Sequence, residues 1–204
     1  RAKVLAAAEQ LGFRPNRSAR NLARGRSSVI GLVIPTADLR VDPYGAALTH
    51  AVGRAAANRD LALMLQIADE EPGHTVHHLL ADGFLDGLLI SAVAIGPAWV
   101  DELFDGPLPT VLIGAHPTRT DLSDVTVENV ESSAAAVTHL FEQGCRRVGT
   151  ITGPPGRVDA DERVDGYRLA HARAGRDVDA RLIVAGDYTR RSGLTGAGEL
   201  VDRG

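Results

Sequence analysis

Cationic side chains gather at one end of this chain. Residues 1 to 28 hold Arg1, Lys3, Arg14, Arg17, Arg20, Arg24 and Arg26 against one acid, Glu9, a local excess of six positive charges. The whole chain carries −4, so the remainder carries −10. A basic arm on an acidic body suits an arm that touches phosphates and a body that must not. Charge alone fits a solvated tail equally well. The spacing adds chemistry: Arg17, Arg20 and Arg24 recur on one side of a short helix that Asn16 can cap and Gly25 can stop. Small Ala19 and Ala23 beside Leu22 would let that backbone approach a narrow groove. Leu22 would then wedge between base steps of the minor groove, and contacts to the bent duplex would offset the unstacking. The alternative for Leu22 is a packing contact against its own chain. Two isolated turns of helix are marginal in water, so this segment is expected to depend on a binding partner for its folding.

Other chemistry is sparse. His74, His77 and His78 share a helix spacing but lack a carboxylate or cysteine partner for a metal, which favours a solvated face. Gly153-Pro154-Pro155-Gly156 sits where a phosphate loop could, yet its two prolines remove the N–H donors such a loop needs. No nucleophile, base and orienting group stand at a recognisable spacing. The expectation is a protein without enzyme activity, catalytic residues, metal or cofactor. A lone Cys145 excludes an internal disulfide framework.

The elements that would position these groups follow from hydrophobic patterning. Val4, Leu5, Ala8 and Leu11 have helical spacing, and Gly12 ends that helix. After Ser28 short branched apolar runs alternate with helical stretches. Strands are expected at Val29–Ile34, Leu61–Ile67, Gly87–Ser91, Thr110–Ile113, Val148–Thr152 and Leu182–Ala185. Helices are expected at Tyr44–Asn58, Thr75–Leu80, Ala98–Phe104, Ser132–Gln143, Arg163–Ala174 and Arg190–Asp202. Regular β-α alternation predicts an α/β fold with doubly wound parallel sheets, whose ligands bind beyond the carboxyl ends of the strands. The irregular loop Gly114–Asp124 is a candidate boundary, and too few strands follow it for a second complete sheet. No run approaches the roughly 20 apolar residues needed to cross a bilayer.

Several of these residues together are familiar. Residues 1–27, with Pro15-Asn16-Arg17 and Leu22-Ala23, followed by Ile30-Gly31-Leu32-Val33-Ile34-Pro35, resemble the junction in the lac repressor (LacI/GalR) family between the DNA-binding headpiece and the regulatory domain. The likeness continues in Asp69-Glu70-Glu71-Pro72, Leu85-Asp86-Gly87, Gly144-Cys145-Arg146-Arg147-Val148 and Glu162-Arg163-Val164-Asp165-Gly166-Tyr167. The hinge pattern is the most specific of them.

The resemblance implies a periplasmic-binding-protein-like fold in two subdomains. Residues 1–28 would be the last headpiece helix and a hinge helix, 29–127 an N-terminal effector subdomain, and 128–204 part of a C-terminal one. The earlier helices of a helix-turn-helix would precede Arg1, and the rest of the second subdomain would follow Gly204. It implies a cytoplasmic, homodimeric transcriptional repressor with no membrane partner. Operator DNA would be touched by Asn16, Arg17, Ala19, Arg20, Leu22 and Ala23. A small-molecule effector, of sugar type, would be held by Tyr44, Arg157, Asp159, Arg163 and Tyr188. Arginine forks suit vicinal hydroxyls, and an aromatic face suits the apolar side of a sugar. For Arg163 the sequence alone favours a surface ion pair with Asp159 or Asp161. Gly114 and Glu128 stand where an acid and an Asp are usual in the family, which leaves the preferred sugar open and a nucleobase-like effector in play. The rival reading is a periplasmic-type sugar-binding protein, which needs no hinge or basic arm.

Overall fold

Leu32, Val33 and Ile34 are consecutive, yet each is at most 2% exposed. Successive strand residues point to opposite faces, so the strand they belong to is covered on both sides. This is β1 (Val29–Pro35), and it lies inside a five-stranded sheet with β2 (Ala62–Ala68), β3 (Gly87–Ser91), β4 (Thr110–Ile113) and β5 (Asp124–Val125). The order is β2-β1-β3-β4-β5 and all four pairings are parallel. The computed structural model describes residues 10, 26–35, 43–68, 83–91, 98–116 and 118–203. Helix α1 (Pro43–Ala57) packs on β1 and β2, and α2 (Ala98–Asp105) contributes Leu103 to a core of Val33, Leu85, Leu88, Ile90 and Leu112.

A second parallel pair, β6 (Thr150–Ile151) and β7 (Ile183–Val184), forms its own sheet. Around it lie α3 (Asn129–Glu142), α4 (Val158–Arg173) and α5 (Arg190–Asp202), with a short 3-10 turn at Ala180–Leu182. Helices α3 and α4 cross closely. A β-carbon at Gly166 would stand 2.7 Å from the Ser133 β-carbon and would also overlap the Val130 carbonyl, so glycine is what permits the approach. Beneath the crossing, Tyr167 is fully buried with Ala134, Val137, Val148 and Ala170, and its hydroxyl donates to the Val148 carbonyl at 2.8 Å. Burying a side chain of that size contributes roughly 2 kcal/mol. Its satisfied hydroxyl avoids the penalty of a buried orphan donor.

The expected strands and helices are present wherever the described residues reach, with shifted ends. The helix expected to begin at Arg163 begins at Val158, and the one expected at Ser132 begins at Asn129. Strands β6 and β7 are two residues each, and β5 was not anticipated. The helix expected at Thr75–Leu80 and the histidines His74, His77 and His78 lie outside the described residues, as do Asn16, Arg17, Ala19, Arg20, Leu22 and Ala23.

Candidate functional site

Loops leave the carboxyl ends of β6 and β7 side by side, and this is the edge at which open parallel sheets bind ligands. The first loop runs through Gly153 into α4, with Arg157 immediately before the helix and Asp159 in its first turn. The second runs through Tyr188 into α5. There Thr189 caps the helix by accepting from the Ser192 N–H at 3.1 Å, and the Asp187 carboxylate accepts from the Thr189 N–H at 2.9 Å. Bonds from Ser192 and Thr189 hold the Asp187 carboxyl at about 2. Between them Tyr188 has φ +65°, the left-handed region that costs a non-glycine residue on the order of 1 kcal/mol.

That conformation lays the Tyr188 ring against Gly153, where any β-carbon would overlap it. The hydroxyl accepts from Arg163 Nη1 at 3.0 Å and donates to Asp159 Oδ2 at 3.0 Å. Arg157 Nε donates to Asp159 Oδ1 at 3.0 Å. Both guanidinium carbons lie 5.6 Å from the centre of the tyrosine ring, within cation–π range. Burial pushes the Asp159 carboxyl up, but hydrogen bonds and charge from Arg157, Tyr188 and Arg163 outweigh it and leave the carboxyl below its ordinary value. Burial, then the Asp159 charge, push the Tyr188 phenol up, so it stays a proton donor at neutral pH.

The cluster is braced from α3. Arg163 Nε donates to Asn129 Oδ1 at 3.1 Å, and Asn129 Nδ2 donates to Glu162 Oε2 at 2.8 Å. Ser133 Oγ donates to the Arg163 carbonyl at 2.7 Å. Asn129 is only 8% exposed, and the close crossing at Gly166 is what brings it within reach. The structure therefore joins four of the five predicted effector residues, Arg157, Asp159, Arg163 and Tyr188, in one bonded group. Tyr44 is not in it. It stands in the first turn of α1, past the carboxyl end of β1 in the other sheet, and is 59% exposed.

Arg163 also makes the ion pair that its sequence neighbours suggested, at 3.5 Å to Asp159 one turn earlier on α4. A half-exposed pair of that kind contributes only about 0.3–0.5 kcal/mol. It does not explain why a second arginine and a strained tyrosine converge on the same carboxylate while a buried amide holds Arg163 from the other side. Together they offer two arginine forks, a phenol, a carboxylate and an aromatic face, a set matched to a polyhydroxylated ligand. Among the described residues no His, Cys, Asp or Glu group could hold a metal. A concavity of about 500 Å³ at the amino ends of the same strands is lined by Arg146, Arg147, His171, Arg176 and Asp179. Its Arg176 is committed to the Cys145 and Arg146 carbonyls and to the Phe141 ring.

No protein-family model matches the chain. Individual proteins do. The regulator CelR of Thermobifida fusca is 31% identical over all of this chain and 61% of its own length. The repressor CytR of Escherichia coli is 29% identical over 99% of the chain and 59% of its own length. Among solved structures, a CelR–cellobiose complex superposes with a TM-score of 0.78 at 29% identity, over 98% of this chain and 60% of the other. Over its whole length the chain is related to LacI-family transcriptional regulators. A LacI-family regulator from Sanguibacter keddieii superposes at 0.69 and 29% identity, over 88% of this chain and 64% of that one. LacI-family regulators have the periplasmic-binding-protein-like fold, and the parallel sheets of this chain are of that kind. The chain spans about three fifths of the length of these LacI-family relatives.

Sequence reasoning missed Asn129 and Gly153 as parts of the site. An asparagine at the start of a helix ordinarily reads as a cap, and a glycine before two prolines is ordinarily a turn. Neither type signals a partner in the sequence some thirty residues away.

Proposed function

We propose that the full-length protein is a DNA-binding transcriptional repressor whose operator affinity is set by a sugar bound at the Arg157–Asp159–Arg163–Tyr188 cluster. The observation that carries this reading is the convergence of those side chains at the carboxyl edge of the second sheet, in a chain similar to a regulator solved with cellobiose. In the bound state the arginines would turn part of their donor set to ring hydroxyls, Asp159 would accept from one, and Tyr188 would cover the apolar face. Tyr44 would close the site from the first subdomain, residues 29–127, with residues 128–204 forming part of the second.

Residues 1–28 would carry the DNA contacts: Asn16, Arg17 and Arg20 on phosphates, Ala19 and Ala23 at the groove floor and Leu22 as the wedge. Two hinges would be paired in a cytoplasmic homodimer without enzyme activity. A periplasmic-type sugar-binding protein is not favoured, because the relatives are transcriptional regulators and the basic arm would have no purpose there. The reading is tested by calorimetric titration of the full-length product with cellobiose and a panel of other mono- and disaccharides, wild type against Arg163→Ala. Saturable binding weakened at least about tenfold by the substitution supports it, as expected for lost bonds from a charged donor. Wild-type protein that binds no sugar in the panel counts against it.

A further inference from the structure

Asp86 sits at the entry to β3, flanked by buried Leu85 and by Gly87, and both its carboxylate oxygens reach residues 58 and 59 positions earlier. Oδ1 accepts from the Ser27 N–H at 2.7 Å and from the Ser27 hydroxyl at 3.0 Å. Oδ2 accepts from the Ser28 N–H at 3.0 Å and lies 3.7 Å from Arg26 Nε. The Asp86 N–H returns a bond to the Val29 carbonyl at 2.7 Å. On the other side, the Ser28 carbonyl accepts from the Ala62 N–H at 2.8 Å, so the root of β1 is tied to both neighbouring strands. Ser28 is held at φ +59°, a conformation a serine keeps only where its surroundings fix it.

We propose that Asp86 is a positioning residue for DNA binding: its carboxylate fixes the point and direction at which the basic segment leaves the sensing sheet. The inference rests on the repressor reading above. The strand pairing is complete without the carboxylate, because it begins at Val29 and the Ser28 and Val29 carbonyls are met by the backbone N–H groups of Ala62 and Asp86. What the carboxylate's bonds determine is the orientation of Arg26-Ser27-Ser28, the residues that join six further cations, at positions 1 to 24, to β1. A carboxylate suits the task because it accepts three hydrogen bonds and faces a cation at once, and the two N–H groups, the hydroxyl and Arg26 keep it ionised against the cost of its burial. Without it the root of the segment could swing, and the arginines would lose a common direction toward phosphates.

The test uses the full-length product and sheared genomic DNA, from which fragments retained by the wild type are taken as probes. Asp86→Ala should weaken their binding by about tenfold or more and flatten the dependence of affinity on salt, because fewer phosphates are neutralised. Asp86→Asn, which keeps the shape but only one acceptor oxygen, should fall between. Both should leave the melting temperature of the sensing domain within a few degrees. Wild-type affinity and salt slope in Asp86→Ala would overturn the proposal alone, and so would a loss of DNA binding that only tracks a loss of melting temperature in both variants. A wild-type protein that retains no DNA would instead overturn the repressor reading itself.

Discussion

The Tyr188 ring rests on the Cα of Gly153, leaving no room for a β-carbon there. Two loops that leave different strands are thereby set in one register, and the tyrosine hydroxyl reaches Asp159 and Arg163 from that seat. Gly153→Ala should expel the ring, weakening sugar binding by about tenfold or more and costing about 1–3 kcal/mol of stability as an overpacked site. In a Tyr188→Ala background the same substitution should cost almost nothing. A double-mutant cycle by thermal melting and calorimetry measures the coupling, and additive effects would mean that the two residues do not meet.

Arg163 spans two partners with different atoms, Nε to Asn129 and Nη1 to Tyr188. A lysine has a single point of donation and cannot serve both. Arg163→Lys should therefore lose nearly as much sugar affinity as Arg163→Ala, and Arg163→Ala should also cost about 1–3 kcal/mol of stability, because it leaves the buried Asn129 side-chain carbonyl without its donor. Calorimetry of the three proteins checks this.

Asn129 is buried and bridges Arg163 to Glu162. Its replacement by alanine should cost about 1–3 kcal/mol of stability, the penalty for a buried polar network left partly unmade. It should also weaken sugar binding while leaving DNA affinity in the absence of sugar unchanged. Denaturant unfolding and calorimetry separate the two effects.

The acid limb of stability should report Asp159. Its folded pKa lies below the ordinary 3.8, so the carboxylate contributes stability that is fully present above that value. The contribution is lost as pH falls below 3.8 and through the lower folded value. Asp159→Asn should be less stable than wild type at neutral pH and should converge with it at the acid end of that window. Melting curves from pH 6 downward test the sign, and a gap that stayed constant with pH would contradict it.

Long apolar patterns made the first sheet legible. Val29–Ile34 and Gly87–Ser91 are branched runs buried on both faces, a pattern that survives without any knowledge of neighbours. Asp124–Val125 was invisible because it is two exposed residues that add an edge to a sheet already specified. The start of α4 was placed five residues late because Asp159, Asp161 and Glu162 interrupt any apolar periodicity, although acids in the first turn are what a helix dipole favours. The site divides in the same way. Arg157, Asp159, Arg163 and Tyr188 were named through the likeness to a family, since nothing in their spacing brings two loops together. Asn129 and Gly153 were not named, because their roles depend on a helix crossing and a ring contact that exist only in three dimensions.

On the proposed function, a sugar at the Tyr188 cluster is coupled to DNA held by the basic segment of the same protein. The direct measurement is a gel-shift titration of the full-length product on genomic fragments it retains, with and without the sugar that binds it, for wild type and Arg163→Ala. The sugar should shift wild-type DNA affinity by about tenfold or more, a coupling of the ordinary size between two sites, and should leave Arg163→Ala unmoved at the same concentration. DNA affinity that ignores the sugar in both proteins would contradict the account.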